Sequence, residues 1–138
     1  MSFINVPGFV EDVAVDDSDK TIAVPAGERW ELLGVYADLT TTATVGTRQL
    51  EIAIATATGI LVRLEFGETQ IASITNKRYA AALGLVTEAH IAGEMIFAQL
   101  PTLHLVEGDT IRVFDSAGID AAADDLIVQV NRLRSSEK

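Results

Sequence analysis

Between residues 47 and 55 the side chains alternate, with Leu50, Ile52 and Ile54 on one parity and Gln49, Glu51 and Ala53 on the other. Successive side chains of an extended strand point to opposite faces, so a period of two specifies a strand with one buried and one wetter face; a helix would repeat its apolar positions every three or four residues. Residues 60–66 repeat the pattern: Ile60, Val62, Leu64 and Phe66 share one side, Arg63 and Glu65 the other. Ala57-Thr58-Gly59 between the two runs predicts a hairpin turn. Ile111 and Val113 within 110–115, and Leu126, Val128 and Val130 within 125–133, read as closing strands by the same rule.

Residues 29–42 carry a parity switch. Trp30 and Leu32 fall on one side, whereas Leu33, Val35, Ala37 and Leu39 fall on the other, and one extra residue near Leu32–Gly34 accounts for this as a β-bulge. Residues 76–83 are expected to form a strand and 121–124 a loop. Ten glycines punctuate the 138 residues, and about eight strands at turn spacings of roughly 8–12 residues predict an all-β fold, an antiparallel β-sandwich of jelly-roll-like form. One sandwich domain over 20–134 is expected, with an N-terminal arm and first strand over 1–19 and a short C-terminal tail over 135–138.

Hydrophobic residues make up 49% of the chain but aromatics only 6%, so small aliphatic side chains supply the core and leave apolar area for a protein interface. The net charge of −10 repels phosphate backbones and anionic lipid, which argues against nucleic-acid and membrane partners. Without cysteine there are no disulfides or zinc-thiolate sites. The start of the chain, broken by Asn5, Pro7 and Gly8 ahead of Glu11 and Asp12, does not read as a signal peptide, and no run of about 18 apolar residues suggests a membrane span.

The search for chemistry returns little. His90 and His104 are the two histidines; His104, between Leu103 and Leu105, is expected to face solvent or a loop, and His90 to sit in a polar loop. No serine lies in Gly-x-Ser-x-Gly, and no phosphate loop or dinucleotide fingerprint occurs. The chain is therefore expected not to be an enzyme and to use no cofactor. Asp115, Asp120, Asp124 and Asp125 are weak calcium candidates, since calcium takes six to eight oxygens from flexible loops, although aspartate is also a common turn residue. Trp30 is expected in the core or at a sheet edge. Phe3, Ile4, Val6 and Phe9 are dense apolar side chains for a terminal segment; they predict either a first strand packed on its own subunit or an arm that reaches a neighbour, in which case removing residues 1–9 weakens assembly while the domain stays folded.

Pro25-Ala26-Gly27 followed by Trp30, Leu32 and Val35, then Leu39-Thr40-Thr41, Gly46 and Arg48, resembles small structural proteins of tailed bacteriophages and their prophages. Leu100-Pro101, Leu105, Gly108-Asp109, Ile111-Arg112-Val113, Asp115 and the run from Ile119 to Asp125 extend the resemblance across residues 20–133. Leu105-Val106-Glu107-Gly108 departs from it where a second Pro-Ala-Gly-like turn is expected. The resemblance implies a head decoration or cement protein, made in the host cytoplasm and bound as a homotrimer to the major capsid protein on the outer surface of the virion. The alternative is a tail-associated β-sandwich that binds a glycan or receptor. An enzyme of the cupin type is a third and poorer reading, because no His-x-His pair is present.

Overall fold

The computed structural model describes the backbone of residues 3–14, 16–82, 90–91 and 95–137, and side chains at 6–14, 16–82 and 98–135. These residues form β1 (Phe3–Asp12), β2 (Asp19–Ala23), β3 (Glu28–Thr40), β4 (Leu50–Thr56), β5 (Gly59–Glu65), β6 (Thr75–Ala81), β7 (His90–Ile91), β8 (Met95–Gln99), β9 (Leu103–Val106), β10 (Thr110–Asp115) and β11 (Asp125–Glu137). No helix occurs among the described residues, and none is long and apolar enough to cross a membrane.

One sheet runs β1-β11-β3-β6-β8-β7, with β9 also on β3, and the other runs β2-β10-β4-β5. Eight strands pair in nested order: β1 with β11, β2 with β10, β3 with β6 and β4 with β5. Folding that long nested ribbon over itself, so that β11 also meets β3 and β10 also meets β4, gives a jelly roll. Seven of the nested strands are ones the sequence indicates, the first strand and those at 29–42, 47–55, 60–66, 76–83, 110–115 and 125–133; β2 has no counterpart among them. Strands β7, β8 and β9 are additional, inserted between β6 and β10, and β8 joins β6 in parallel. His90, expected in a loop, has its backbone in β7 and pairs with Ile96; a two-residue strand is too short to show a period.

The core lies between the sheets. Leu32, Val35, Ala37, Leu39, Leu126 and Val130 from one side meet Leu50, Ile52, Ile54 and Val113 from the other, all at 0% exposure, and truncating any of the leucines to alanine costs about 2–5 kcal/mol. The bulge is where the parity switch placed it: Asn131 pairs with Gly34 and Arg132 with Leu32, so Leu33 has no partner across β11. Beyond explaining how Trp30 and Leu32 face the same core as Val35, the bulge divides β3 into two segments on its other edge. Arg29–Leu32 pair with β9 and Gly34–Thr40 with β6.

The Pro25-Ala26-Gly27 turn closes with Glu28 N–H donating to the Pro25 carbonyl at 3.2 Å, and Gly27 takes φ 75°, a left-handed position that glycine occupies without steric cost. The departing segment at Leu105–Gly108 makes an equivalent turn, with Asp109 N–H donating to Val106 O at 3.0 Å. The two turns touch through Gly27 N–H and the Glu107 carboxylate at 3.2 Å.

Candidate functional site

The nested topology gathers four connections at one end of the sandwich: the described residues of the first, 13–14 and 16–18, with 41–49, 66–74 and 116–124. Arg48 and Arg78, both at 0% exposure, organise them. Arg48 donates from Nε to Asp124 Oδ2 at 2.8 Å and from Nη2 to Asp124 Oδ1 at 3.2 Å and the Thr42 hydroxyl at 3.2 Å; Nη1 reaches the carbonyls of Thr44 and Gly46 at 2.9 Å each. All five N–H groups of the guanidinium are thereby spent, which is what a buried arginine needs. Backbone bonds in both directions tie Arg48 to Gln70, at 2.7 and 2.8 Å.

Arg78 continues the network. Its Nη1 donates to Gln70 Oε1 at 2.7 Å, Nε to Phe66 O at 2.8 Å and Nη2 to Glu68 O at 2.9 Å. Burial pulls Arg78 down to about 10, with the Glu68 charge opposing it. The first connection is anchored separately. Lys20 faces inward at 4% exposure, donates to Ala14 O at 2.9 Å and pairs with Asp12 and Asp16. Burial pulls Lys20 down, but those two carboxylates outweigh it and hold it above the ordinary lysine value. Ser18 N–H to Ala121 O at 2.9 Å then joins the first connection to the last.

Three of the four calcium candidates serve this framework. Asp124 also accepts Thr42 N–H at 2.9 Å; Asp120 accepts the Thr42 and Thr44 hydroxyls at 2.5 and 2.9 Å; Asp115 accepts N–H groups of Gln49, Ala117 and Ile119 at 3.0, 3.0 and 3.1 Å. The hydroxyls hold Asp120 below the usual carboxylate range. Asp125, next in the chain to Asp124, opens β11 opposite Thr40. Among the described residues no group of three or more His, Cys, Asp or Glu is placed to hold a metal. The residues that sequence reasoning missed are Arg48, Arg78 and Gln70, whose charge and polarity give no sign of burial.

Of the arm residues, Phe3 and Ile4 are placed by backbone alone, paired with Glu137 and Ser136, and Val6 and Phe9 pair with Arg134 and Asn131. The segment is thus the first strand of its own sheet, with its second edge open among the described residues. Phe9 points away from the sandwich at 65% exposure, and Val6 is 37% exposed. Further apolar side chains stand on the surface at Val45 and Ile71 on the locked loops, at 90% and 61% exposure, and at Ile60 and Leu61 on β5.

The outer faces of the two sheets differ. On the four-stranded sheet, Phe114 faces outward yet is 8% exposed, because Arg112 stacks on it at 3.9 Å from the ring centroid and Arg63 lies at 5.3 Å. Each arginine is forked onto an acid, Arg112 to Asp19 at 2.7 and 2.8 Å and Arg63 to Glu51 at 2.6 and 3.1 Å. His104, in β9, is exposed as expected, and Trp30 is buried at 1% with its indole N–H on Glu28 at 3.0 Å.

No protein-family model matches the chain, and no curated protein matches it. Solved structures similar to it include an exo-β-agarase (TM-score 0.42, 10% identity, 100% of this chain and 23% of that one), the Gx strain of infectious bursal disease virus (0.32, 11%, 96% and 32%) and the T13 viral particle of that virus (0.37, 12%, 94% and 35%). The chain spans between 23% and 35% of the length of these structures.

Proposed function

We propose that this chain is a virion structural protein, a decoration or cement protein that binds the major capsid protein on the outer head surface as a homotrimer and braces the shell. One observation carries the reading: the buried polar side chains at the loop end serve to hold the loops, while apolar side chains at Phe9, Ile60, Leu61, Val45 and Ile71 stand on the outside. Loops already fixed by Arg48 and Arg78 lose little conformational freedom on docking, so more of the contact energy appears as affinity. A closed threefold ring uses an apolar flank without leaving it free to polymerise, and the net charge of −10 keeps unbound subunits dispersed.

The test is native mass spectrometry of the free chain combined with sedimentation against undecorated heads. Trimers that co-sediment with heads and raise their resistance to heat support the reading; a monomer that stays in the supernatant removes it. A tail-associated receptor- or glycan-binding module is the second reading, favoured by a groove on the seven-stranded sheet lined by Arg29, Glu31, His104 and Leu133, and electron microscopy of labelled particles separates head from tail.

A further inference from the structure

The bulge at Leu33 produces more than a parity change. Because β3 exchanges β9 for β6 at that point, the outer face of the seven-stranded sheet is interrupted there, and a groove of about 410 Å3 lies over the β9-paired segment. That volume falls in the range of about 300–1,000 Å3 common for small-molecule sites. Its floor is set by cross-strand register. His104, Glu31 and Leu133 form one row across β9, β3 and β11; Val106, Arg29 and Ser135 form the next. The apolar Leu133 and Val106 therefore stand at opposite corners of the floor, with His104, Glu31, Arg29 and Ser135 at the other positions.

Beyond the bulge and outside the groove's own lining, the same outer face carries aromatic side chains. Tyr36 and Tyr79 stand directly opposite each other on β3 and β6. A Cβ built on Gly34 would meet the Tyr79 hydroxyl at 2.5 Å and its Cζ at 2.8 Å, so the tip of that ring lies over the backbone at Gly34, on the side of the bulge away from the groove. From Glu31 to Tyr36 the strip runs roughly 15 Å at about 3.3 Å per strand residue, longer than one sugar ring. Unlike Phe114 on the opposite sheet, whose face is covered by two arginines, neither tyrosine has an arginine or lysine stacked on it among the described residues.

We propose that this strip, from Glu31 and His104 across Gly34 to Tyr36 and Tyr79, binds a neutral oligosaccharide. A pyranose has a flat C–H face and a rim of hydroxyls that both donate and accept, which matches apolar and phenol surfaces set beside carboxylate, guanidinium, imidazole and hydroxyl groups. A nucleic acid is disfavoured by the charge of −10. An extended peptide gains its affinity from an open strand edge, and β9, which pairs with β3 alone among the described residues, borders the groove with one; shifts confined to the β9 backbone, with none at Tyr36 or Tyr79, are the result that a peptide site gives and would overturn the proposal. The inference holds whether the chain sits on a head or a tail.

The test is isothermal titration calorimetry of the full chain with maltohexaose, cellohexaose, laminarihexaose and chitohexaose, followed by NMR shift mapping with any that binds. Saturable binding is expected for at least one, with shifts at Glu31, His104, Tyr36 and Tyr79, and with Glu31→Gln, His104→Ala and Tyr79→Ala each weakening binding about tenfold, the factor for one good contact. Glu31→Gln and His104→Ala sit on the surface of the sheet and carry the test if Tyr79→Ala loses its fold. Failure of all four sugars to bind at about 10 mM, a concentration that detects even millimolar affinity, overturns the proposal. Binding that Glu31→Gln and His104→Ala both leave unchanged overturns it equally.

Discussion

Removing the Asp124 carboxylate isolates the Arg48 contribution. Both groups are at 0% exposure, so Asp124→Ala strands a guanidinium in a site closed to water and also leaves Thr42 N–H without its acceptor. Breaking a buried pair from one side costs about 3–5 kcal/mol. At roughly 4 °C per kcal/mol for a domain of this size, the melting temperature should fall by on the order of 12–20 °C. The double variant Arg48→Met, Asp124→Leu removes both charges and should recover part of that loss. Recovery is incomplete because the carbonyls of Thr44 and Gly46 and the Thr42 N–H lose partners, at about 1 kcal/mol each. Differential scanning calorimetry at pH 7 measures both variants. A loss below about 1 kcal/mol in Asp124→Ala, within the range of an exposed ion pair, would mean that water reaches Arg48 and that the loop end is not the rigid framework argued above.

Acid lability follows from the carboxylates. Lys20 holds Asp16 low, Arg112 holds Asp19 low, Arg63 holds Glu51 low, and the Thr42 and Thr44 hydroxyls hold Asp120 low. Their folded values lie below the unfolded ones, so their stabilisation is complete above about pH 5 and is lost as pH falls through the folded values; melting temperatures that stay flat from pH 5 to pH 2 would contradict it. Asp38 has the opposite sign, since burial pushes its carboxyl up and Oδ1 has no hydrogen-bond partner. Asp38→Asn should therefore raise the melting temperature at pH 7 and leave it unchanged below pH 3, as calorimetry at both values will show. Gly34→Ala should cost about 1–3 kcal/mol by overpacking, and adding Tyr79→Phe should return part of it because the hydroxyl is the nearest obstructing atom; urea titrations of the single and double variants check this.

The nested strands other than β2 were legible because a two-layer sandwich buries one face of each strand, and Leu50-Ile52-Ile54 or Leu126-Val128-Val130 record that face directly. The β3 bulge was legible for the same reason, since inserting Leu33 flips every later side chain and leaves Trp30 and Val35 on opposite parities. Strands β2 and β7 to β9 were not, because a strand of two to five residues carries too few alternations to stand out from a loop. At the loop end the failure has a different origin. Arg48 and Arg78 are buried by hydrogen bonds to carbonyls that only the folded chain brings together, and Asp115, Asp120 and Asp124 look alike in sequence whether they cap turns, neutralise an arginine or bind an ion. The groove depends on where β3 changes partner, a long-range fact with no local signature beyond the bulge.

Nested pairing also governs the order in which the chain can fold as it leaves the ribosome. The β4–β5 hairpin is complete almost as soon as it emerges, but β1 waits for β11, more than a hundred residues later. Throughout that interval Phe3, Ile4, Val6 and Phe9 belong to a strand with neither neighbour, the kind of segment that aggregates with other nascent chains. Pairings of such high sequence separation fold slowly, so yield during expression should depend on how quickly β11 is synthesised and closes over the first strand.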